Sequence, residues 1–215
     1  MFKTPIVVTP AWSQETRISK RSASVLSRYY LDNGFHPIFL NGIATLRPVF
    51  TRVLNNIRKN EKPPHLLVYF GHGLSDSLLG VEPIGMRYKN LRPVVANQNP
   101  SVLKDYIVYA VACDSLSKLG YKAIEHGATT YFSNMDPLHL LSSDLNDNGI
   151  SDFTEIFTTI PIALAQRKTT QQAYNIFQST INDLLLLTPS SSHEYNLLYG
   201  MMQTFDIIGK DVLWY

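Results

Sequence analysis

Two uninterrupted apolar runs, Leu66-Leu67-Val68-Tyr69-Phe70 and Ile107-Val108-Tyr109-Ala110-Val111-Ala112, constrain this chain more than any other feature. A strand with one wet face alternates apolar and polar residues. A run that is apolar at every position needs cover on both faces, as in the middle of a parallel sheet with helices above and below. The β-branched and aromatic content of both runs suits strands of this kind.

The flanking sequence supplies the helices. Arg17 to Leu31 and Leu46 to Ile57 place their apolar residues at helical spacing, and Asn33-Gly34 stops the first. Lys118 to His126 reads as a short helix ended by Gly127, and Phe153 to Gln166 and Thr170 to Leu187 as two longer ones. Ile6 to Val8, Pro37 to Leu40, Thr129 to Phe132, Phe205 to Ile208 and Val212 to Tyr215 read as further strands. Turn-rich punctuation at Lys62 to Pro64, Gly80 to Gly85, Asn97 to Pro100, Asp144 to Gly149 and Pro189 to Ser192 reads as loops inside one domain spanning 1–215. The expected fold class is α/β, a three-layer α/β/α sandwich around a mostly parallel sheet.

Composition narrows the function classes. With 45% hydrophobic and 17% charged residues the chain is not of disordered type. Nineteen Lys and Arg against 17 Asp and Glu leave a net charge of +2 with no long run of one sign, which gives no support for a nucleic-acid or polybasic membrane binder. One cysteine, Cys113, rules out an internal disulfide and a cysteine-rich zinc site and suits a reducing, cytoplasmic setting. Met1 to Pro10 lacks the apolar core of a signal peptide, and the aliphatic run Leu184 to Leu187 is too short to span a bilayer.

Sites in open α/β sheets lie beyond the carboxyl ends of the strands. Here both apolar strands end in reactive residues: Phe70-Gly71-His72-Gly73 and Val111-Ala112-Cys113-Asp114-Ser115. If the strands pair in parallel, His72 and Cys113 emerge side by side, as a thiolate nucleophile and its imidazole acid/base require. The glycines around His72 allow a sharp turn and a close approach to substrate. The backbone amides of Gly73 and Cys113 would then form an oxyanion hole. Taken singly, Cys113 also reads as a small buried hydrophobe and His72 as a turn residue. There is no G-x-S-x-G elbow, phosphate-binding glycine loop or H-E-x-x-H zinc motif.

Tyr69-Phe70-Gly71-His72-Gly73 and Ala112-Cys113-Asp114-Ser115 resemble the two active-site motifs of the caspase-like cysteine peptidases, a group that includes caspases, metacaspases, gingipains, clostripain, legumain, separase and bacterial CHAT domains. Ala123 to Phe132 resembles the helix-Gly-Ala-strand unit that follows the cysteine in gingipains and CHAT domains. Phe205 to Leu213 resembles their closing strand, with Lys210-Asp211 in place of the usual Asp-Pro.

The resemblance implies a caspase-like (caspase-hemoglobinase) fold and a cysteine endopeptidase, with Cys113 as nucleophile and His72 as general acid/base. It implies a protein or peptide substrate, no cofactor for the chemistry, and regulated proteolysis in prokaryotic defence or signalling. An activating partner or a homodimer fits the same pattern. Metacaspases and clostripain-like members carry an Asp two residues before the cysteine, where this chain has Val111, so their route to a basic P1 side chain is missing. Asp114 follows the nucleophile as an acid does in legumain, and Asp136 follows the next strand. Each is a candidate pocket acid, with basic P1 residues preferred, while Asp114 also reads as a helix cap and Asp136 as a turn residue. The alternatives are a non-catalytic interaction module of the same fold and a calcium-sensing adaptor.

The calcium reading rests on Asp144 to Glu155. Asp144, Asn146, Asn148, Ile150 (through its carbonyl), Asp152 and Glu155 occupy the ligand positions of an EF-hand loop, with Gly149 at the turn. A hard cation needs six to eight oxygens, which this spacing gathers. Ser151 replaces the usual aliphatic residue, no clear helix precedes the loop, and there is no second copy. The other reading is a polar loop in which Asp152 caps the next helix and Glu155 completes the box.

Overall fold

The computed structural model describes residues 3–10, 17–80, 93–136, 145 and 147–215. Nine strands and six α-helices are named here in chain order: β1 (Ile6–Thr9), α1 (Arg17–Asp32), β2 (Ile38–Asn41), α2 (Arg47–Asn60), β3 (His65–Phe70), β4 (Gly73–Leu74), β5 (Ser77–Leu79), β6 (Pro93–Ala96), β7 (Tyr106–Val111), α3 (Tyr121–Glu125), β8 (Thr130–Asn134), α4 (Asp147–Ala165), α5 (Thr170–Leu187), α6 (His193–Thr204) and β9 (Phe205–Gly209). Six strands form one sheet in the order β2-β1-β3-β7-β8-β9. All its pairings are parallel except β8 with β9.

The two apolar runs are β3 and β7, neighbours at the centre of the sheet, with every residue buried. Their alternate side chains feed two separate cores. Leu66, Val68 and Phe70 of β3 and Ile107, Tyr109 and Val111 of β7 pack with residues of α1, α4, α5 and α6. Leu67 and Tyr69, with Tyr106, Val108 and Ala110, pack on the other face with residues of α2 and α3. The sheet is thus covered on both sides, the layering expected of continuous apolar strands. No helix among the described residues is long and apolar enough to cross a membrane.

Three local expectations change. The helix expected from Phe153 begins at Asp147 instead. Asn-Gly is a poor helix interior by propensity, but Gly149 is buried and a Cβ there would lie 2.7 Å from the Glu194 carboxylate. Tertiary packing overrides the local preference.

Lys118 to His126 is a wide π-helical turn, Leu116–Gly120, running into the short α3. The expected last strand, Val212 to Tyr215, is a single bridge of Leu213 to Thr169. Trp214 leaves that bridge to enter the core, fully buried and stacked on Phe35 at 5.2 Å. Burying an indole outweighs a short ladder at the edge.

Two features carry no sequence signal. Helix α6 buries only Leu198 and Met201, too few to show an apolar face, and is preceded by Ser192, whose hydroxyl accepts the Tyr195 amide at 3.0 Å. A small antiparallel sheet, β4-β5-β6, has strands too short to display a period.

Candidate active site

The site follows from strand register. Strands β3 and β7 are parallel and in step to their ends, where Phe70 faces Val111. His72 and Cys113 each stand two residues further on. Both leave the same edge of the sheet from adjacent strands, and both are half-buried. The Gly71 amide donates to the Val111 carbonyl at 3.2 Å, carrying the pairing one residue past the strand.

The glycines flanking His72 are required for space. Neither is among the residues with positive φ. A Cβ on Gly73 would lie 2.7 Å from the Cys113 carbonyl oxygen, 2.8 Å from Ala112 Cβ and 3.3 Å from the Cys113 nitrogen. A Cβ on Gly71 would lie 2.7 Å from the Tyr69 hydroxyl oxygen and 3.0 Å from Pro10. The expected sharp turn is therefore a close approach of backbones. It sets Gly73, one of the two residues assigned to an oxyanion hole, directly against Cys113, the other.

A frame of hydrogen bonds holds the two ends. The Tyr69 hydroxyl reaches the His72 carbonyl at 2.8 Å and the Leu79 carbonyl at 2.6 Å, and the Leu79 amide donates to the His72 carbonyl at 3.0 Å. His72 is thus tied to the hairpin β4-β5. The Leu119 amide, beyond Cys113, donates to the Ser75 carbonyl in the turn of that hairpin at 2.8 Å. Behind the cysteine, the Ser133 hydroxyl donates to the Ala110 carbonyl at 2.8 Å and lies 2.7 Å from the Ser115 hydroxyl. Asn134 Nδ2 donates to the Ala112 carbonyl at 3.4 Å. Ser115, Ser133 and Asn134 are fully buried. Buried polar side chains hydrogen-bonded to one another and to backbone make this end of β7 rigid.

Asp114 has φ +49°, a left-handed conformation that Asp tolerates better than most residues. The chain turns away immediately after the cysteine. The Asp114 amide donates to the Asp136 carbonyl at 3.1 Å, and the Asp114 carbonyl accepts the Ser117 amide and hydroxyl at 3.3 and 2.9 Å. The two candidate pocket acids are therefore adjacent in backbone, Asp114 half-buried and Asp136 exposed.

In the sequence Tyr69 is one more position of an apolar run, and nothing local assigns a role to Ser75, Ser115, Leu119, Ser133 or Asn134. The tyrosine stood inside the His72 motif, but nothing local signals which carbonyls its hydroxyl meets. The serines face a neighbour that only the sheet order supplies.

Asp144 and Asn146 lie outside the described residues. Asn148, Ile150, Asp152 and Glu155 lie on helix α4, where the sequence pattern expected an open loop. The Ile150 carbonyl, expected to face a cation, accepts the Thr154 hydroxyl at 2.6 Å. Asp152, expected to cap a helix, stands inside one, and partial burial raises its carboxyl pKa. Among the described residues no three His, Cys, Asp or Glu gather closely enough to hold a metal ion.

No protein-family model matches the chain, and no curated protein matches it at a significant level.

Proposed function

We propose that this chain is a cysteine endopeptidase of caspase-like fold, with Cys113 as nucleophile and His72 as general acid/base. The observation that carries the reading is the register of β3 and β7, which sends His72 and Cys113 off the same sheet edge at equivalent positions, with Gly73 packed on the Cys113 backbone.

In this reading the Cys113 sulfur, its proton taken by the His72 imidazole, attacks the carbonyl carbon of the scissile peptide bond. Charge develops on the carbonyl oxygen, where the Gly73 and Cys113 amides would stabilise it. The imidazolium gives its proton to the leaving amine as the C–N bond breaks, leaving a thioester on Cys113. A water molecule, deprotonated by His72, then attacks the thioester carbonyl, and the thiolate leaves, releasing the acid. Thiol and imidazole carry every bond-making step, so the chemistry calls for no metal. Asp114 and Asp136, adjacent at the ends of β7 and β8, favour a basic P1 side chain. The fitting biological role is regulated cleavage of a partner protein.

A fluorogenic peptide panel varied at P1, with and without calcium, beside Cys113→Ala and His72→Ala, tests this. The expected result is cleavage by the parent chain and none by either variant. No turnover, together with a Cys113 inert to thiol alkylation, would replace the peptidase with a binding module on the same scaffold. Turnover that rises with calcium would require helix α4 to open over Asp147 to Glu155 and would support the calcium reading.

A further inference from the structure

Among the described residues, nothing pairs with the outer edge of β2, which ends the six-stranded sheet. The Ile38 amide donates inward to the Pro5 carbonyl at 2.9 Å. By the alternation of a strand, the amides and carbonyls of Phe39 and Asn41 therefore face outward. Edge strands are ordinarily blunted by charges, proline or bulges, yet Ile38-Phe39-Leu40-Asn41 has none of these. At the opposite edge, on β9, the Asp206 carboxylate already accepts the Ile207 amide at 2.8 Å.

Beside the β2 edge lies a groove of about 530 Å³ walled by α1. Ser24 and Ser27 keep the helix wall low, Phe39 offers apolar surface, and Lys20, Arg28 and Asp32 are its charged lining, a surplus of one positive charge. Helix α1 carries four cations (Arg17, Lys20, Arg21 and Arg28) against the single carboxylate of Asp32. Arg17 and Arg21 lie outside the groove's lining and add to the positive field of the same helix. The Arg28 to Asp32 contact, at 3.7 Å between exposed groups, offsets little of it. A second copy pairing through the same edge would bring two such walls together, so like charge disfavours it.

We propose that this groove receives an extended acidic segment of a partner protein, added to β2 as a further strand with its carboxylates toward Lys20 and Arg28. Those two residues are eight positions apart on a helix, about 12 Å. Side chains four positions apart on one face of a strand are separated by about 13 Å. The favoured segment therefore carries acidic residues four apart, with β-branched residues between them. Main-chain pairing supplies affinity and the two cations supply selectivity.

The test is fluorescence anisotropy with the full chain carrying Cys113→Ala and a labelled Glu-Val-Thr-Val-Glu peptide, compared with Lys-Val-Thr-Val-Lys. Saturable binding of the acidic peptide only is expected. Phe39→Pro should weaken it about tenfold beyond Phe39→Ala, since both lose the ring but only proline loses the outward amide. That amide serves no pairing within the sheet, so the proline should be tolerated. Lys20→Glu with Arg28→Glu, on the exposed helix face, should reverse the preference between the peptides. Equal binding of both peptides, no saturable binding, or equal affinities for the two Phe39 variants would overturn the proposal. So would self-association of the parent chain that Phe39→Pro abolishes, which would assign the edge to a second copy.

Discussion

Gly73 and Cys113 are in backbone contact: a Cβ placed on Gly73 would stand 2.7 Å from the Cys113 carbonyl oxygen, well inside van der Waals distance. The end of the histidine strand and the end of the cysteine strand are thereby packed as one unit. Gly73→Ala forces them apart. The expected outcome is a loss of about 1–3 kcal/mol in urea denaturation, typical of overpacking a filled site, with a larger loss of peptide hydrolysis than of substrate affinity. An alanine variant with unchanged stability and turnover would show that the two strand ends move freely.

Tyr69 supplies a second check on the same unit. Its hydroxyl is the buried donor between the His72 and Leu79 carbonyls. Tyr69→Phe keeps the ring in the core and removes only that link. Stability should fall by about 1–2 kcal/mol, the usual effect of leaving a buried carbonyl short of a donor. With His72 less firmly placed, kcat should fall while KM stays near its parent value. A fall in KM alone would contradict the positioning role.

His65, at the far end of β3, should make stability sensitive to mild acid. Its ring is 1% exposed, and neither nitrogen has a hydrogen-bond partner. Burial depresses its pKa below the ordinary 6.5, helped by Lys3 and Arg58 and opposed by Glu61 and Asp105. The native chain therefore holds His65 neutral, while the unfolded chain takes up a proton. The stabilisation is intact above about pH 6.5 and declines as pH falls below it toward the lowered native value. Urea midpoints at pH 7.5 and 5 should differ more for the parent chain than for His65→Leu. Equal differences would remove His65 as the cause.

Asp211 should anchor the start of α5. Its carboxylate accepts the Gln171 amide at 2.9 Å and the Thr170 hydroxyl at 3.2 Å, beside the capping box formed by Thr169 and Gln172. The Gln171 amide first, then the Thr169 and Thr170 hydroxyls, hold its pKa below the ordinary 3.8. A carboxylate shifted this way contributes fully above its unfolded pKa and stops contributing as pH falls through the lowered native value. Asp211→Ala should lower stability at pH 7 by about 1 kcal/mol, as loss of a cap does. Thermal unfolding at pH 7 and pH 3 checks it, with the smaller difference between variant and parent expected at pH 3.

The architecture was legible where local chemistry has one good solution. Continuous apolar runs at Leu66 to Phe70 and Ile107 to Val111 have to be central strands, and the helix expected over Thr170 to Leu187 has the observed bounds of α5. The same local logic placed His72 and Cys113 at strand ends. It predicts an open loop over 147–152, where the structure has helix, since Asn148-Gly149 favours a turn unless another element fills the space beside the glycine, as Glu194 does.

By itself, then, the sequence determined the α/β class, the strand positions of the two candidate catalytic residues and the charge on α1, because period, capping and charge are properties of neighbouring residues. Only the tertiary structure decided that β3 lies beside β7 in step, that Tyr69 and Ser133 hydrogen-bond to the ends of these strands, and that β2 ends the sheet among the described strands. Those are contacts between residues far apart in the chain. They are set by how two cores close over one sheet, and no local pattern encodes which strand meets which.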